Sequence, residues 1–269
     1  MWDKGGTAKR LIDFCKKSDA KLIHTSTISV SGNSFADEFS GSTSENELHF
    51  YESDLYICQP LDNVYARSKF EAEKAVLEAM ADGLKANIMR MGQLTNRYSD
   101  GKFQKNYESN AFLKRIRAVL ELGVVPNYLG DLYAEFTPID EAAEAVMIIT
   151  RHFSTEQTVF HINSTKVVYL DKLVQMFEKL GFNIKVVSGD EFTEFLRQTA
   201  NQTETQHIFE TFINDIDEND RLNYDSNIHI ENEFTVQYLK NFGFRWNDID
   251  FEYIKKYVQY FIKIGFFGG

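Results

Sequence analysis

The 269-residue sequence predicts an α/β protein, on three observations. Helical and extended patterns alternate through the first two-thirds of the chain, which implies parallel strands joined by crossover helices. Hydrophobic residues make up 43% and charged residues 26%, the balance of a folded chain with a sizeable core rather than a disordered one. Near Lys166 the alternation gives way to mostly helical patterns, which predicts a second, smaller region.

The elements follow in order. Ala8, Leu11, Ile12, Phe14 and Cys15 recur at helical spacing, and Lys21 to Ser26 reads as a buried strand. Residues 33–60 are polar and aromatic and read as a long excursion. A helix is expected from Val64 to Met80, carrying Phe70, Ala72, Ala75, Val76 and Leu77. A second strand, Ala86 to Met91, stops at Gly92. Phe112, Leu113, Ile116, Val119 and Leu120 share one side of an amphipathic helix from Asn110 to Leu122. Another helix runs from Glu141 to about Arg151, with Asp140 after Pro138 read as its N-cap, and Thr158 to Ile162 reads as the third strand. Beyond it come helices at 169–180 and 190–199, a short strand at 184–187, and an aromatic-rich helix from Phe251 to Phe267. Phe261, Ile262, Ile264, Phe266 and Phe267 read as core packing, and the acidic run between Glu204 and Glu233 as solvated surface. Two domains are expected, 1–165 and 166–269.

Charge and composition exclude several functions. The net charge of −11 repels phosphate backbones, so nucleic acid is not an expected partner. No apolar run approaches the roughly 20 residues that span a bilayer, and the first residues carry no signal-peptide pattern. The two cysteines, Cys15 and Cys58, fit a reducing cytoplasm. The six histidines show no metal-ligand spacing, so no metal is expected.

Three polar residues carry the chemistry. Tyr65 and Lys69 lie four apart on one helix face, and Thr27 lies just past the first strand. In parallel α/β sheets ligands bind beyond the carboxyl ends of strands, where Thr27 is expected. A phenol is a poor acid at neutral pH, and a nearby ammonium favours its ionised form. With a second hydroxyl holding a carbonyl oxygen, such a trio suits hydride transfer to a carbonyl. Tyr-x-x-x-Lys alone is a weak signal. The ordered series is specific: strand, Ser-Thr-x-x-x-x-Gly, excursion, Tyr-x-x-x-Lys helix, then the strand ending Met89-Arg90-Met91-Gly92.

That series resembles the extended short-chain dehydrogenase/reductase superfamily, and within it the terminal thioester reductase domains of nonribosomal peptide synthetases and carboxylic acid reductases. Its landmarks are Leu22 to Val30, Glu52 to Ile57, Asn63 to Glu73, Arg90 to Arg97, Asp100 to Asn106, Phe136 to Asp140, and the tail from Phe234 to Trp246. The resemblance implies a partial Rossmann-type sheet, the C-terminal half of the usual domain, with a mostly helical subdomain facing substrate and carrier. It makes Tyr65 the proton donor, Lys69 the ligand of the nicotinamide ribose, and Thr27 the group polarising the thioester carbonyl. Gly92, Gln93 and Leu94 would lie beside the nicotinamide. The implied cofactor is NADP(H). The implied partner is an acyl or peptidyl carrier protein whose phosphopantetheine thioester is released as an aldehyde or alcohol. Such carriers are usually acidic, which leaves two readings of Lys114, Arg115 and Arg117: the solvated face of their helix, or a docking cluster.

One departure is plain. These reductases begin with a Gly-x-x-Gly-x-x-Gly turn that receives the cofactor pyrophosphate, and no such triple occurs in the 269 residues. Gly5-Gly6-Thr7 resembles the start of the helix before the Thr27 strand, so the sequence is expected to begin mid-domain and, alone, to be inactive. The Thr27 strand would then be a sheet edge open to self-association. Two other readings stay open: a non-catalytic remnant that binds a carrier or itself, and an extended-family reductase or epimerase of a free small molecule.

Overall fold

The computed structural model describes residues 4–32, 48–61, 63–130, 132–153, 158–200, 205–212 and 228–268. Most of the expected excursion, residues 33–47, and half of the acidic run, residues 213–227, lie outside them. The elements are α1 (Lys4–Ser18), β1 (Leu22–Thr27), β2 (Leu48–Phe50), α2 (Val64–Ala81), β3 (Ala86–Met91), β4 (Leu94–Thr95), α3 (Ala111–Leu122), β5 (Val124–Pro126), β6 (Tyr133–Glu135), β7 (Thr137–Pro138), α4 (Ile139–His152) and β8 (Thr158–Ile162). They continue as β9 (Val167–Tyr169), α5 (Leu170–Lys179), β10 (Lys185–Val187), α6 (Gly189–Ala200), α7 (Gln206–Phe212), β11 (Ile228–Ile230), α8 (Glu233–Lys240) and α9 (Phe251–Lys263). The α/β class is as expected. No helix among the described residues is long and apolar enough to cross a membrane.

The chain forms two compact units and passes between them repeatedly. The first comprises residues 1–94, 141–164 and 226–246; the second comprises 95–140, 165–225 and 247–269.

In the first unit β1, β3 and β8 form a parallel sheet in that order, with Leu22 opposite Ala86 and Thr27 opposite Met91. Central β3 is buried along nearly its whole length, which is why its sequence shows no polar alternation. Its side chains split by parity. Ala86 and Ile88 pack with Ile12, Cys15, Val76 and Met80 of α1 and α2, whereas Met89 packs with Ala142, Ala145 and Ile149 of α4. Among the described residues β1 pairs with β3 alone. A small parallel pair, β2 with β11, seats Phe50 and Ile228 against Val30 and Phe70.

The second unit is built around aromatic side chains. Phe136, Tyr253, Tyr257, Phe261, Phe266 and Phe267 share one cluster with residues of α3 and α5. Asn110 and Asp250 start α3 and α9 by accepting the Leu113 and Tyr253 amides, each at 2.9 Å. Gly123, at φ +70°, ends α3 in the left-handed conformation.

The structure corrects two expectations and extends a third. Asp140 lies inside α4 and is not its N-cap; its carboxylate accepts the backbone N–H groups of Tyr98 (2.8 Å) and Ser99 (3.1 Å), pinning a distant turn. Burial alone would raise that carboxyl, but the two amide bonds outweigh it and hold it below the ordinary carboxylate range. The last helix ends at Lys263, where Gly265 (φ +73°) folds Phe266 and Phe267 back onto Phe261. Beyond Lys166 the strand expected at 184–187 is present as β10, paired with β5, and two strands not read from the sequence join the helices: β9 on β6 and β11 on β2. Such three-residue strands are too short for a period-two pattern to stand out.

Candidate functional site

All six expected site residues lie in the first unit. Thr27 is the last residue of β1 and only 7% exposed. It starts a 3₁₀ turn, Ile28–Ser31, accepting the Ser29 amide at 3.2 Å and donating its hydroxyl proton to Ser29 Oγ at 3.1 Å. Gly32, at φ +78°, closes that turn.

Tyr65 occupies the first turn of α2. Asn63 caps the helix, its Oδ1 accepting from the amides of Tyr65 (2.8 Å) and Ala66 (3.3 Å), so the cap sets where Tyr65 leaves the backbone. The Tyr65 side chain is 48% exposed, and the Lys69 ammonium lies 6.0 Å from its ring centroid. Lys69 Nζ also donates to the Thr25 carbonyl at 3.3 Å, tying the Tyr-x-x-x-Lys helix to the strand that ends in Thr27. Gly92 follows β3 directly, and its N–H donates to the Ile162 carbonyl of β8 at 2.9 Å. Gln93 and Leu94 come next, half-buried. The structure thus places Tyr65 and Lys69 side by side and links them to the Thr27 strand, with residues 92–94 following the neighbouring strand.

Behind this surface lies a buried polar network that the sequence does not advertise. Arg90 of β3 meets Glu73 of α2 through Nε (3.0 Å) and Nη2 (2.9 Å), both side chains being fully buried. Arg90 also donates to His161 Nε2 at 3.0 Å and to the Asp54 carbonyl at 2.6 Å, and its guanidinium lies 4.8 Å from the Phe50 ring centroid. Because Arg is only a donor, His161 Nε2 is the acceptor, and Nδ1 carries the proton it gives to the Glu231 carbonyl at 2.6 Å. Burial, with the Arg90 charge adding to it, lowers the His161 pKa to about 3. Glu52 accepts the amide and hydroxyl of Thr235 at 3.0 and 2.9 Å. The segment after β2 is thereby fastened at Glu52 and Asp54. Glu52, Asp54, Glu73, Arg90 and Thr235 each fall within a landmark segment of the sequence, but no spacing shows that they meet; the one local signal was a charged residue, Arg90, in a strand buried on both faces.

A model of an NAD-binding family, described as male sterility protein, matches residues 6–146, more than half of the chain. The chain belongs to that family. Over 96% of its length it is similar to a thiolation–reductase di-domain from an archaeal non-ribosomal peptide synthetase, at 31% identity and a TM-score of 0.80, covering 52% of that chain. The reductase domain of an aureusimine biosynthetic cluster shares the fold, with a TM-score of 0.78 at 24% identity over 97% of this chain and 65% of that one. A linear gramicidin synthase protein of Brevibacillus parabrevis is 25% identical over 206 residues, 76% of this chain and 4% of that protein. The chain therefore spans about half of the archaeal di-domain and a small part of the gramicidin synthase. Family and fold together make it an NAD-binding, Rossmann-like domain, and the solved structures it is similar to include reductase domains of non-ribosomal peptide synthetases.

In the second unit, the basic residues of α3 line a cleft of about 520 Å³. Lys114, Arg115 and Arg117 share it with His207 and Glu210 of α7. Arg117 is held by Glu121 at 2.6 Å, which leaves Lys114 the more exposed of the two.

Proposed function

We propose that this chain carries the catalytic side chains of an NADPH-dependent thioester reductase that releases a carrier-bound acyl or peptidyl group as an aldehyde, or after a second round as an alcohol. The observation that carries this reading is the Lys69 ammonium, bonded to the Thr27 strand and 6.0 Å from the Tyr65 ring. An exposed phenol beside an ammonium at the carboxyl ends of parallel strands fits the nicotinamide-ribose end of a dinucleotide, with Lys69 on the ribose and Gly92, Gln93 and Leu94 beside the ring. When bound, the reduced nicotinamide supplies a hydride.

Thr27 turns its hydroxyl from Ser29 to the thioester carbonyl and polarises it. Tyr65 gives its proton to the same oxygen as the carbon is reduced, and Lys69 offers positive charge where that proton leaves. The resulting thiohemiacetal returns its hydroxyl proton to Tyr65 and expels the thiolate, which takes a proton from water. Thioester, hydride and one proton thus become aldehyde and thiol.

No Gly-x-x-Gly-x-x-Gly turn stands in these residues to receive the pyrophosphate, so the chain alone is expected to bind NADPH weakly and turn over little. Isothermal calorimetry giving micromolar affinity would overturn that part. The catalytic assignment is tested in a fusion that sets the nucleotide-binding half of a relative ahead of residue 1. Tyr65→Phe is expected to cost about a hundred- to ten-thousand-fold in turnover of a pantetheine thioester. Near-normal activity would remove Tyr65 as donor.

The carrier is proposed to dock on Lys114, Arg115 and Arg117. Charge reversal at Lys114 and Arg117 should slow reduction of a carrier-bound thioester, less so at high salt, and spare the short pantetheine substrate. A second reading rests on the one-sided pairing of β1 among the described residues: its open edge self-associates. Light scattering showing a monomer at high concentration would exclude it.

A further inference from the structure

We propose that Gln59 is a positioning residue, clamping the turn after β1 so that the Thr27 Oγ1 oxygen is held in one place while its proton remains free to turn. The proposal rests on the reading of Thr27 above for its consequence, and on geometry of its own for its cause. Thr27 is oriented by Ser29, through the bonds to the Ser29 amide and hydroxyl, so whatever fixes the 3₁₀ turn fixes Thr27. Within that turn the Val30 carbonyl is bound from outside, by Gln59 Nε2 at 2.9 Å. The same amide nitrogen donates to the Leu55 carbonyl at 2.8 Å, while Oε1 accepts the Ile57 amide at 2.7 Å.

Gln59 is 3% exposed, and both of its amide ends are engaged with backbone. Packing agrees with the bonding: a Cβ on Gly32 would stand 3.0 Å from Gln59 Cβ and 3.0 Å from the Pro60 carbonyl. The far end of the segment is anchored independently, by Arg90 on the Asp54 carbonyl and by Glu52 on Thr235. Gln59 therefore carries the rigidity of the buried Arg90 network to the turn that holds Thr27. The residue type suits the task, because a carboxylate lacks both donors and an apolar side chain would strand two carbonyls and an amide.

A glutamine that merely filled the loop would affect stability and nothing else, so the test reads Thr27 directly. In this chain, Gln59→Met is expected to speed hydrogen exchange of the Ser29 and Gly32 amides by about tenfold or more while leaving the amides of β3 unchanged. Unchanged exchange at Ser29 overturns the proposal. In the fusion reductase the same variant should lower kcat about ten- to a hundredfold with KM held within about twofold, since a small misplacement of a positioned group is costly in rate. In a Thr27→Val background, Gln59→Met should add less than about twofold; an additive loss would mean that Gln59 does not act through Thr27. Where Gln59→Met fails to fold, Gln59→Glu, which keeps the acceptor and loses both donors, takes its place in both measurements. If Thr27→Val alone leaves kcat untouched, the catalytic reading of Thr27 fails, and the exchange measurement still decides the clamp.

Discussion

The two units both pack rings, but among the described residues only the first buries charged side chains at its centre. At the sheet of the first unit, charged and polar side chains occupy the interior: Arg90, Glu73, His161, Asn87 and Ser26 are all buried. The interior of the second is a stack of rings, with Phe261 meeting Tyr257, Phe266 and Phe267 at centroid distances of 5.1, 5.6 and 5.0 Å. Rings add their interactions pairwise and tolerate small shifts. A buried ion pair is worth little against an apolar replacement, yet it admits only one arrangement of its partners. In this chain the ion pair also holds the Asp54 carbonyl, and so the segment that reaches the candidate site. In the first unit, buried charge goes with positional control of that segment.

The largest break in that comparison is expected from Arg90→Met. It leaves Glu73 buried and uncompensated, at a cost of about 3–5 kcal/mol in urea unfolding. Replacing both, as Arg90→Met with Glu73→Leu, should recover most of the loss. A double variant as unstable as the single would mean that the pair stabilises rather than positions.

Phe261→Ala is the counterpart in the second unit, at about 3–4 kcal/mol for the cavity it leaves. Phe261→Leu should cost about 1 kcal/mol, because no polar partner is stranded and neighbouring rings can close in. Equal losses for the two variants would contradict the tolerance ascribed to this core.

Acid separates the units next. The unfolded chain protonates His161 near the ordinary histidine pKa of about 6.5, whereas the folded site, at about 3, stays neutral. Stability is therefore complete above the unfolded value and falls as pH drops from there toward 3, by at most about 1.4 kcal/mol per pH unit. His24, also lowered by burial, acts in the same direction. Melting temperatures measured from pH 7 to pH 4.5 should show this slope, and His161→Gln should flatten it. An unaltered slope would place the acid sensitivity elsewhere.

The smallest effect sharpens the comparison instead of breaking it. The Tyr257 hydroxyl is buried with no hydrogen-bond partner among the described residues, and burial drives its pKa well above the ordinary value. Tyr257→Phe should be neutral or stabilising, by up to about 1 kcal/mol. A loss beyond that would reveal a polar contact made by the Tyr257 hydroxyl itself.

The α/β class, the three main strands and the helix that carries Tyr65 and Lys69 were legible in the sequence because long elements repeat a periodic pattern. Tyr65 and Lys69 were legible as neighbours for the same reason: four residues on a helix is a short distance whatever surrounds it. Asp140 was misread because a carboxylate after proline suits a local cap, and its true partners, Tyr98 and Ser99, are some forty residues away in sequence. Arg90 and Glu73 lie in landmark segments, yet their pairing gave no signal, since it forms only when α2 packs on β3.

Local order, then, belonged to the sequence: period, turn chemistry, and the spacing of a phenol, an ammonium and a strand-end hydroxyl. The tertiary structure alone decided which backbone carbonyls a buried amide or guanidinium would find. Those partners are brought together by packing across many intervening residues, and no local pattern encodes a contact whose two halves are separated by the fold itself.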